Sequence, residues 1–135
     1  PVPAGTTALT DDGLGITVMS VDEDAWPEIY AENQYSSPPK SGERFLTAKV
    51  RIQVVDGYFT DAINVSDSDF KAVGSSAVVR AGQCTSNIPD ELGATTMYQG
   101  AVIEGNLCFE VLEDETHLLI YYKGNFIGHS GFVAI

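Results

Sequence analysis

Two cysteines, Cys84 and Cys108, are the residues best suited to covalent chemistry in this chain of 135 residues. Neither has the C-x-x-C neighbour of redox motifs and zinc ribbons, so both of those interpretations fail. Two isolated cysteines in a small acidic domain form either one disulfide or two buried thiols. A disulfide closing this loop would stabilise the fold by roughly 3–4 kcal/mol in the chain-entropy treatment. The residues themselves leave both alternatives open.

The sequence gives little support for a copper site or for a catalytic site that uses histidine. His117 and His129, with Cys108 and Met97, include the donor types of a blue-copper site, but their order and spacing do not form its compact loop. His129 and Ser130 are neighbours, and neighbours on a strand point to opposite faces, so they cannot act as a base and its nucleophile. No G-x-S-x-G elbow is present, and no pair of acids stands out as a glycosidase pair. We therefore predict that the protein is not an enzyme.

Four aspartates, Asp56, Asp61, Asp67 and Asp69, crowd one region of the sequence. Carboxylate oxygens in one loop can hold calcium, although this spacing does not match an EF-hand loop. The alternative is a solvated acidic loop without a metal. Calcium is the one cofactor that the sequence suggests. The sequon Asn64-Val65-Ser66 in the same region is attributed to chance.

The charge balance excludes some partners. The chain has 7 Lys and Arg against 19 Asp and Glu, a formal net charge of −12. Such a surface repels phosphate backbones, so we predict no nucleic-acid partner, and anionic membrane surfaces are disfavoured for the same reason. No apolar run approaches the roughly 18 residues of a membrane span, so we predict no direct membrane insertion by this domain. The start at Pro1 resembles a trimmed mature end, and we expect any signal peptide or lipid anchor to lie upstream.

The stretch from Gly100 to Tyr122 predicts two strands joined by an acidic turn. Leu107, Phe109 and Val111 alternate with polar residues, which is the period of a strand with one buried face. Residues 113–115 break this pattern, and it resumes over 118–122. If Phe109 points into the core, Cys108 points out of it. A bridge from Cys84 would then lie on the outer face of a sheet, or pin a loop against it. It would not be the inter-sheet core disulfide of antibody domains, and Trp26 is not placed to pack on it.

Residues 45–54 form the clearest predicted strand, with Leu46, Ala48, Val50, Ile52 and Val54 facing one way. Further strands are predicted over 16–21 and 70–73, from Val78, over 97–101 with a kink at Gly100, and from Phe126 to the end. Residues 58–66 and 81–95 are predicted to be irregular, 123–125 to be a turn, and 1–13 to be a flexible lead-in. Seven or eight short strands with turn signals and no helical period predict one antiparallel β-sandwich domain over residues 14–135.

The long connection 22–43 is the predicted partner-binding segment. Its prolines and Gly42 exclude a long regular element but allow a helical turn over 28–32. Trp26, Tyr30 and Tyr35 are candidate contacts, because loops on a rigid sandwich commonly recognise partners and aromatic residues are enriched in hot spots. Acids at positions 22–24, 28 and 32 would favour a basic partner. The alternative is that these aromatic residues fold down and plug one end of the sandwich.

Several of these segments together resemble a bacterial extracellular immunoglobulin-like domain family of unknown function. The similarity rests on residues 44–54, 69–73, 84–92 and 100–122. These include Phe-Leu-Thr-Ala-Lys-Val-Arg-Ile at 45–52, Cys-Thr-Ser-Asn-Ile-Pro-Asp-Glu-Leu at 84–92 and Gly-Asn-Leu-Cys-Phe-Glu-Val at 105–111, followed by an apolar strand that ends in Tyr122. Members are typically secreted or carried on lipoproteins, with a fold similar to a small secreted mycobacterial antigen. The family has no catalytic residues to transfer. This chain departs from it at 56–59, where Asp-Gly-Tyr-Phe replaces an Asn-rich turn.

The resemblance implies an immunoglobulin-like sandwich, a Cys84–Cys108 disulfide and an oxidising, extracellular location. We accordingly expect a non-enzymatic secreted or cell-surface domain, lipid-anchored if an upstream segment carries an anchor. It would bind a protein, a glycan or a small ligand, or serve as a spacer. The alternative is a calcium-dependent structural or adhesion module.

Overall fold

The computed structural model describes residues 2–10, 13–55, 62–85, 88–122 and 132–134. It confirms the predicted all-β fold, in which strands make up most of the regular structure. The elements are β1 (Val2–Pro3), β2 (Thr7–Leu9), β3 (Leu14–Asp22), α1 (Trp26–Glu32), β4 (Glu43–Val54), β5 (Ile63–Ser66), a 3₁₀ turn (Asp67–Asp69), β6 (Phe70–Val73), β7 (Arg80–Ala81), β8 (Ala94–Met97), β9 (Val102–Leu112), β10 (Leu118–Tyr122) and β11 (Phe132–Ala134).

Two sheets form an antiparallel β-sandwich. One has five strands in the order β1-β11-β10-β6-β7, and the other has four in the order β2-β3-β4-β9. The pair β1–β11 is parallel, whereas the other pairs within these two sheets are antiparallel. Strands β5 and β8 form a separate two-stranded ribbon. Buried side chains from both sheets and from the ribbon share one core.

Strands β4 and β9 are the longest in this core and pair along almost their whole length. On β4, the five residues predicted to face inward are all buried. On β9, Leu107, Phe109 and Val111 are each fully buried, as their alternation predicts. A bulge in β3 shifts its register between Val18 and Ser20 and leaves Met19 49% exposed.

Several predicted boundaries differ from the structure. Residues 2–3 and 7–9 pair with β11 and β3, so the segment predicted as a flexible lead-in contains two strands. Part of the stretch predicted to be irregular, 63–66, is β5, because it finds a partner in β8. β8 ends at Met97, and Gly100, at φ 89°, lies in a turn before β9. The short strand expected from Val78 starts at Arg80. The predicted turn at 123–125 and the strand material at 126–127 and 135 lie outside the described residues.

The acidic turn after β9 does not join a hairpin. β9 and β10 lie in different sheets, and the turn carries the chain from one to the other. Glu115 in this turn is 4% exposed and accepts hydrogen bonds from Ser75 Oγ, Ser76 N and Ser76 Oγ at 3.0, 2.7 and 2.6 Å. Burial raises the pKa of Glu115, but these hydrogen bonds and the nearby Arg80 charge outweigh it and leave the pKa below its ordinary value. Glu115 therefore fixes the turn after β9 to the segment between β6 and β7, which belong to the other sheet.

Candidate partner-binding surface

A second, smaller apolar cluster lies on the outer face of the four-stranded sheet. Its buried members are Ala25, Ile29, Phe45, Ile88 and Cys108, and Trp26 and Cys84 pack against it. Phe45 and Cys108 come from β4 and β9 but point away from the main core. The cluster joins three segments: the sheet, α1, and the loop between β7 and β8. We call these residues the outer cluster, and the segment that carries the candidate binding surface packs on it.

The disulfide between Cys84 and Cys108 ties the β7–β8 loop to this cluster, with a Cα–Cα distance of 5.3 Å. The structure thus agrees with the bridge implied by the family resemblance and with its inferred place on the outer face of a sheet. Trp26, which the sequence places where it would not pack on the bridge, shares one apolar cluster with Cys84 and Cys108. Trp26 packs against the cluster that contains Cys108, because α1 folds over that face.

The β7–β8 loop runs very close to β9. A Cβ added at Gly105 would lie 2.6 Å from Leu92 Cα, so only glycine permits this approach. Asn106 secures the contact, since its backbone N–H donates to Asp90 O at 2.7 Å and its side-chain amide donates to Pro89 O at 2.9 Å. Leu92 N donates in turn to Asn106 O at 3.0 Å. The loop is therefore held by backbone hydrogen bonds as well as by the disulfide.

Helix α1 is held to the sheet at its start and by one buried side chain. Pro27 in the first turn fixes a helical φ, and Ala25 N donates to Phe45 O at 2.9 Å. Ile29 is 1% exposed and faces the outer cluster. At the end, Asn33 N donates to Ile29 O at 3.0 Å. A helix of this length would not be stable alone, so packing against the sheet supplies its stability.

A tight turn after α1 orients the next residues. Asn33 Oδ1 accepts a hydrogen bond from Tyr35 N at 3.0 Å, and Asn33 O accepts one from Ser36 N at the same distance. Ser36 is buried, whereas Tyr35 is 88% exposed. The backbone that carries Tyr35 is therefore fixed although its side chain is in solvent.

The three predicted aromatic residues have different environments. Trp26 is half-buried and contacts Phe45 edge-on, with ring centroids 6.0 Å apart and an interplanar angle of 72°. Tyr30 lies beside Trp26, with centroids 5.5 Å apart, and is 51% exposed. Tyr35 lies beyond the turn. Trp26 thus acts mainly in packing, and the two tyrosines present aromatic surface to solvent.

Acidic side chains flank these tyrosines in the sequence. Glu23, Asp24, Glu28 and Glu32 are exposed, and α1 has no basic residue in its last turn. The nearby Arg44 donates from Nη1 to the backbone oxygen of Glu23 at 2.7 Å and from Nη2 to that of Glu115 at 3.2 Å. We call the exposed parts of Trp26, Tyr30 and Tyr35 and these four acids the α1 surface. Its electrostatic character is negative.

The predicted calcium ligands are only partly described. Asp56 and Asp61 lie outside the described residues. Asp67 and Asp69 lie in the 3₁₀ turn, where Asp67 Oδ1 accepts from Gln83 Nε2 at 2.9 Å and Asp69 Oδ2 accepts from Ser66 N at 3.0 Å. In the described ranges, no three His, Cys, Asp or Glu side chains are grouped so that they could hold a metal ion. Calcium binding by the four aspartates stays a prediction.

The other residues considered for copper or catalytic chemistry do not come together in the described part of the chain. Met97 lies in the main core and Cys108 in the disulfide. His117 belongs to the turn before β10, at φ 53°, while His129 and Ser130 lie outside the described residues. Glu91, which no sequence motif marks, has a raised pKa because of burial and the neighbouring Asp67 carboxylate.

Solved structures with a similar fold include proteins from two bacteria. A candidate lipoprotein of Bacillus subtilis, ycdA, has a TM-score of 0.66 and 18% identity over 87% of this chain, which spans a third (33%) of that protein's length. The yjhA protein of Bacillus subtilis has a TM-score of 0.61 and 16% identity, covering 90% of this chain and 80% of that one. The secreted protein MPT63 of Mycobacterium tuberculosis has a TM-score of 0.61 and 15% identity, covering 98% and 95%.

At these identities the likeness shows the fold, and the predicted similarity to a secreted mycobacterial protein is confirmed at that level. No protein-family model matches the sequence, and neither does any curated protein. Among the described residues, no helix has both the length and the apolar character needed to cross a membrane.

Proposed function

We propose that this chain is a non-enzymatic, immunoglobulin-like domain of a secreted or cell-surface protein, and that it binds a basic protein partner through the α1 surface. The observation that carries the proposal is the exposure of Tyr30 and Tyr35, at 51% and 88%, on a segment that is otherwise fixed to the sheet. A purely structural lid would bury these rings. Here Ile29 and Trp26 cover the sheet, and the tyrosines face outward.

The rigidity of the α1 surface supports a binding role. Ordering a loop on association costs free energy, and a segment ordered beforehand avoids that cost. The outer cluster, the disulfide and the Asn33 turn all contribute to this order. Tyrosine adds large contact area at small entropic cost because it has only two side-chain torsions.

The charge of the α1 surface supports a partner with exposed Lys or Arg. Four exposed acids lie on the same segment as the tyrosines, and the whole chain has a formal net charge of −12. A positive partner would be steered toward this face, and its association rate would fall as salt increases.

An extracellular location is supported by the disulfide, since such bonds persist mainly in oxidising compartments. Two proteins with this fold, a candidate lipoprotein and a secreted protein, agree with that location. The family resemblance, which transfers no catalytic residues, supports a non-enzymatic role. Lipid anchoring through an upstream segment forms part of the same proposal.

The proposal is tested by affinity capture from the extracellular fraction of the source organism, using the wild-type domain and a Tyr30→Ser/Tyr35→Ser variant. Tyr98→Ser is the matched control, because Tyr98 is 58% exposed but lies after β8, outside the α1 surface. We expect a basic protein that the wild type and the control retain and the double variant loses. Equal capture by all three would contradict the proposed surface, and so would an acidic captured protein.

A further inference from the structure

A cleft on the β5–β8 ribbon forms a second candidate site, separate from the α1 surface. It has a volume of about 400 Å³, and small-molecule sites commonly fall between roughly 300 and 1,000 Å³. The residues that line it are Asn64, Val65, Ser66, Asp69, Ala94, Thr95 and Thr96. We propose that this cleft binds a small sugar that is neutral or carries an amino group.

The ribbon register places four of the lining side chains on one face. Asn64 is directly opposite Thr96, and Ser66 is directly opposite Ala94. Residues two apart on a strand share a face, so these two pairs form one surface. Val65, between them, is buried and anchors the ribbon to the main core. The floor of the cleft is therefore attached to the rigid part of the fold.

Hydrogen bonds within the protein fix the polar groups of this surface. Thr96 Oγ1 donates to Asn64 Oδ1 at 2.8 Å, which sets the orientation of the amide and leaves its Nδ2 hydrogens to donate elsewhere. Asp69 Oδ2 accepts from Ser66 N at 3.0 Å, which leaves the second carboxylate oxygen able to accept. The cleft thus offers a positioned amide donor and a positioned carboxylate acceptor. A sugar hydroxyl, which both donates and accepts, can pair with both.

Apolar groups complete the match to a sugar. Ala94 and Thr96, on the same face as Asn64 and Ser66, add methyl groups to this surface. A pyranose ring presents C–H groups between its hydroxyls and can pack against such methyls. Ala94 is exposed and small, so it leaves room above the floor.

The charge of the site selects among sugars. Asp69 contributes a carboxylate, and the chain as a whole has a formal net charge of −12. A uronic acid would place its own carboxylate in this negative field, whereas an amino sugar would be attracted. The expected order of affinity is glucosamine, then glucose, then glucuronate.

The experiment is an NMR titration of the isotopically labelled protein with each of these three sugars at millimolar concentrations. EDTA is present throughout, so that a bound divalent cation cannot cause the shifts. We expect saturable shifts of the Asn64 side-chain amide and of backbone amides in 64–69 and 94–96, in the stated order. The absence of saturable shifts with all three sugars would overturn the proposal, and so would shifts confined to other parts of the chain.

Two variants and one control variant test where the sugar binds and which charge sets its preference. Ala94→Trp fills the cleft and should abolish the shifts, while the control Ala81→Trp, at an exposed alanine of β7, should keep them. Asp69→Asn retains an oxygen to accept from Ser66 N but removes the local charge, so it should weaken the preference for glucosamine over glucuronate. The amide spectrum of each variant reports whether it remains folded. Undiminished binding by a folded Ala94→Trp variant would place the sugar elsewhere and refute the assignment.

Discussion

Removing the disulfide is the perturbation that best tests how the outer cluster is built. We consider the double substitution Cys84→Ala/Cys108→Ala. The bridge spans a sequence separation of 24 residues. In the chain-entropy treatment, a loop of that length corresponds to about 3.4 kcal/mol at room temperature. Cys108 is 1% exposed, so loss of its sulfur also removes buried contact with the cluster, worth about 1 kcal/mol.

We therefore expect the variant to lose about 4 kcal/mol of unfolding free energy. Domains are typically stable by about 5–15 kcal/mol, so the variant should remain folded but melt early. Hydrogen bonds between the β7–β8 loop and Asn106 do not depend on the bridge and should keep the loop in place.

The assay is guanidinium unfolding followed by two signals. Trp26 is the single tryptophan of the chain and packs against the outer cluster, so its fluorescence reports that cluster. Far-UV circular dichroism reports the strands. Because the cluster includes Phe45 and Cys108 of the central strands, both transitions should shift together. A loss of unfolding free energy below about 1 kcal/mol would contradict the expected contribution of the bridge. A shift of the fluorescence transition without a shift of the circular-dichroism transition would contradict the packing of the outer cluster on the central strands.

Three further predictions concern the core, the acidic turn and calcium. Phe109→Ala should lower the unfolding free energy by about 3–5 kcal/mol in chemical denaturation, because Phe109 is fully buried in the main core; a loss below about 1 kcal/mol would contradict its inward orientation. Glu115 has a lowered pKa in the folded protein, so its contribution is complete above the ordinary value of 4.5 and is lost as the pH falls through the folded pKa. Glu115→Gln should destabilise the protein at neutral pH and flatten the acid side of its stability profile, and parallel profiles would contradict this. If the aspartate-rich region binds calcium, added Ca²⁺ should raise the melting temperature above that in EDTA, and equal melting temperatures would exclude it.

The sequence predicts the central strands well because their signal is local. Alternating burial from Leu46 to Val54 and from Leu107 to Val111 reflects one face against a core and one face outward. The same alternation gives the outward direction of Cys108. Neither inference requires knowledge of which strands are neighbours.

Strand pairing and the outer cluster are harder to predict, because they depend on contacts distant in sequence. β9 and β10 follow one another but belong to different sheets, and nothing in their alternation distinguishes a crossover from a hairpin. A signal for the outer cluster does exist. Phe45 and Cys108 are apolar residues at positions whose parity points outward, which indicates a second covered face.

For the candidate sites, too, local features can be predicted from the sequence, whereas contacts between distant residues cannot. Composition and loop length identify Trp26, Tyr30 and Tyr35 as candidate partner contacts. They do not distinguish the packing role of Trp26 from the exposure of the two tyrosines. The cleft of the β5–β8 ribbon lies in a stretch whose sequence predicts irregular structure. It exists only because Asn64 and Thr96, 32 residues apart, face each other across the ribbon.

Site-specific photo-crosslinking tests directly whether the partner binds through the α1 surface. A benzoylphenylalanine residue replaces Tyr35 in one variant and Tyr98 in another, both at exposed tyrosines. Each variant is irradiated with the partner that the wild-type domain captures. We expect a covalent adduct of domain and partner from position 35 and none from position 98. An adduct from position 98 alone, or equal adducts from both positions, would contradict binding through the α1 surface.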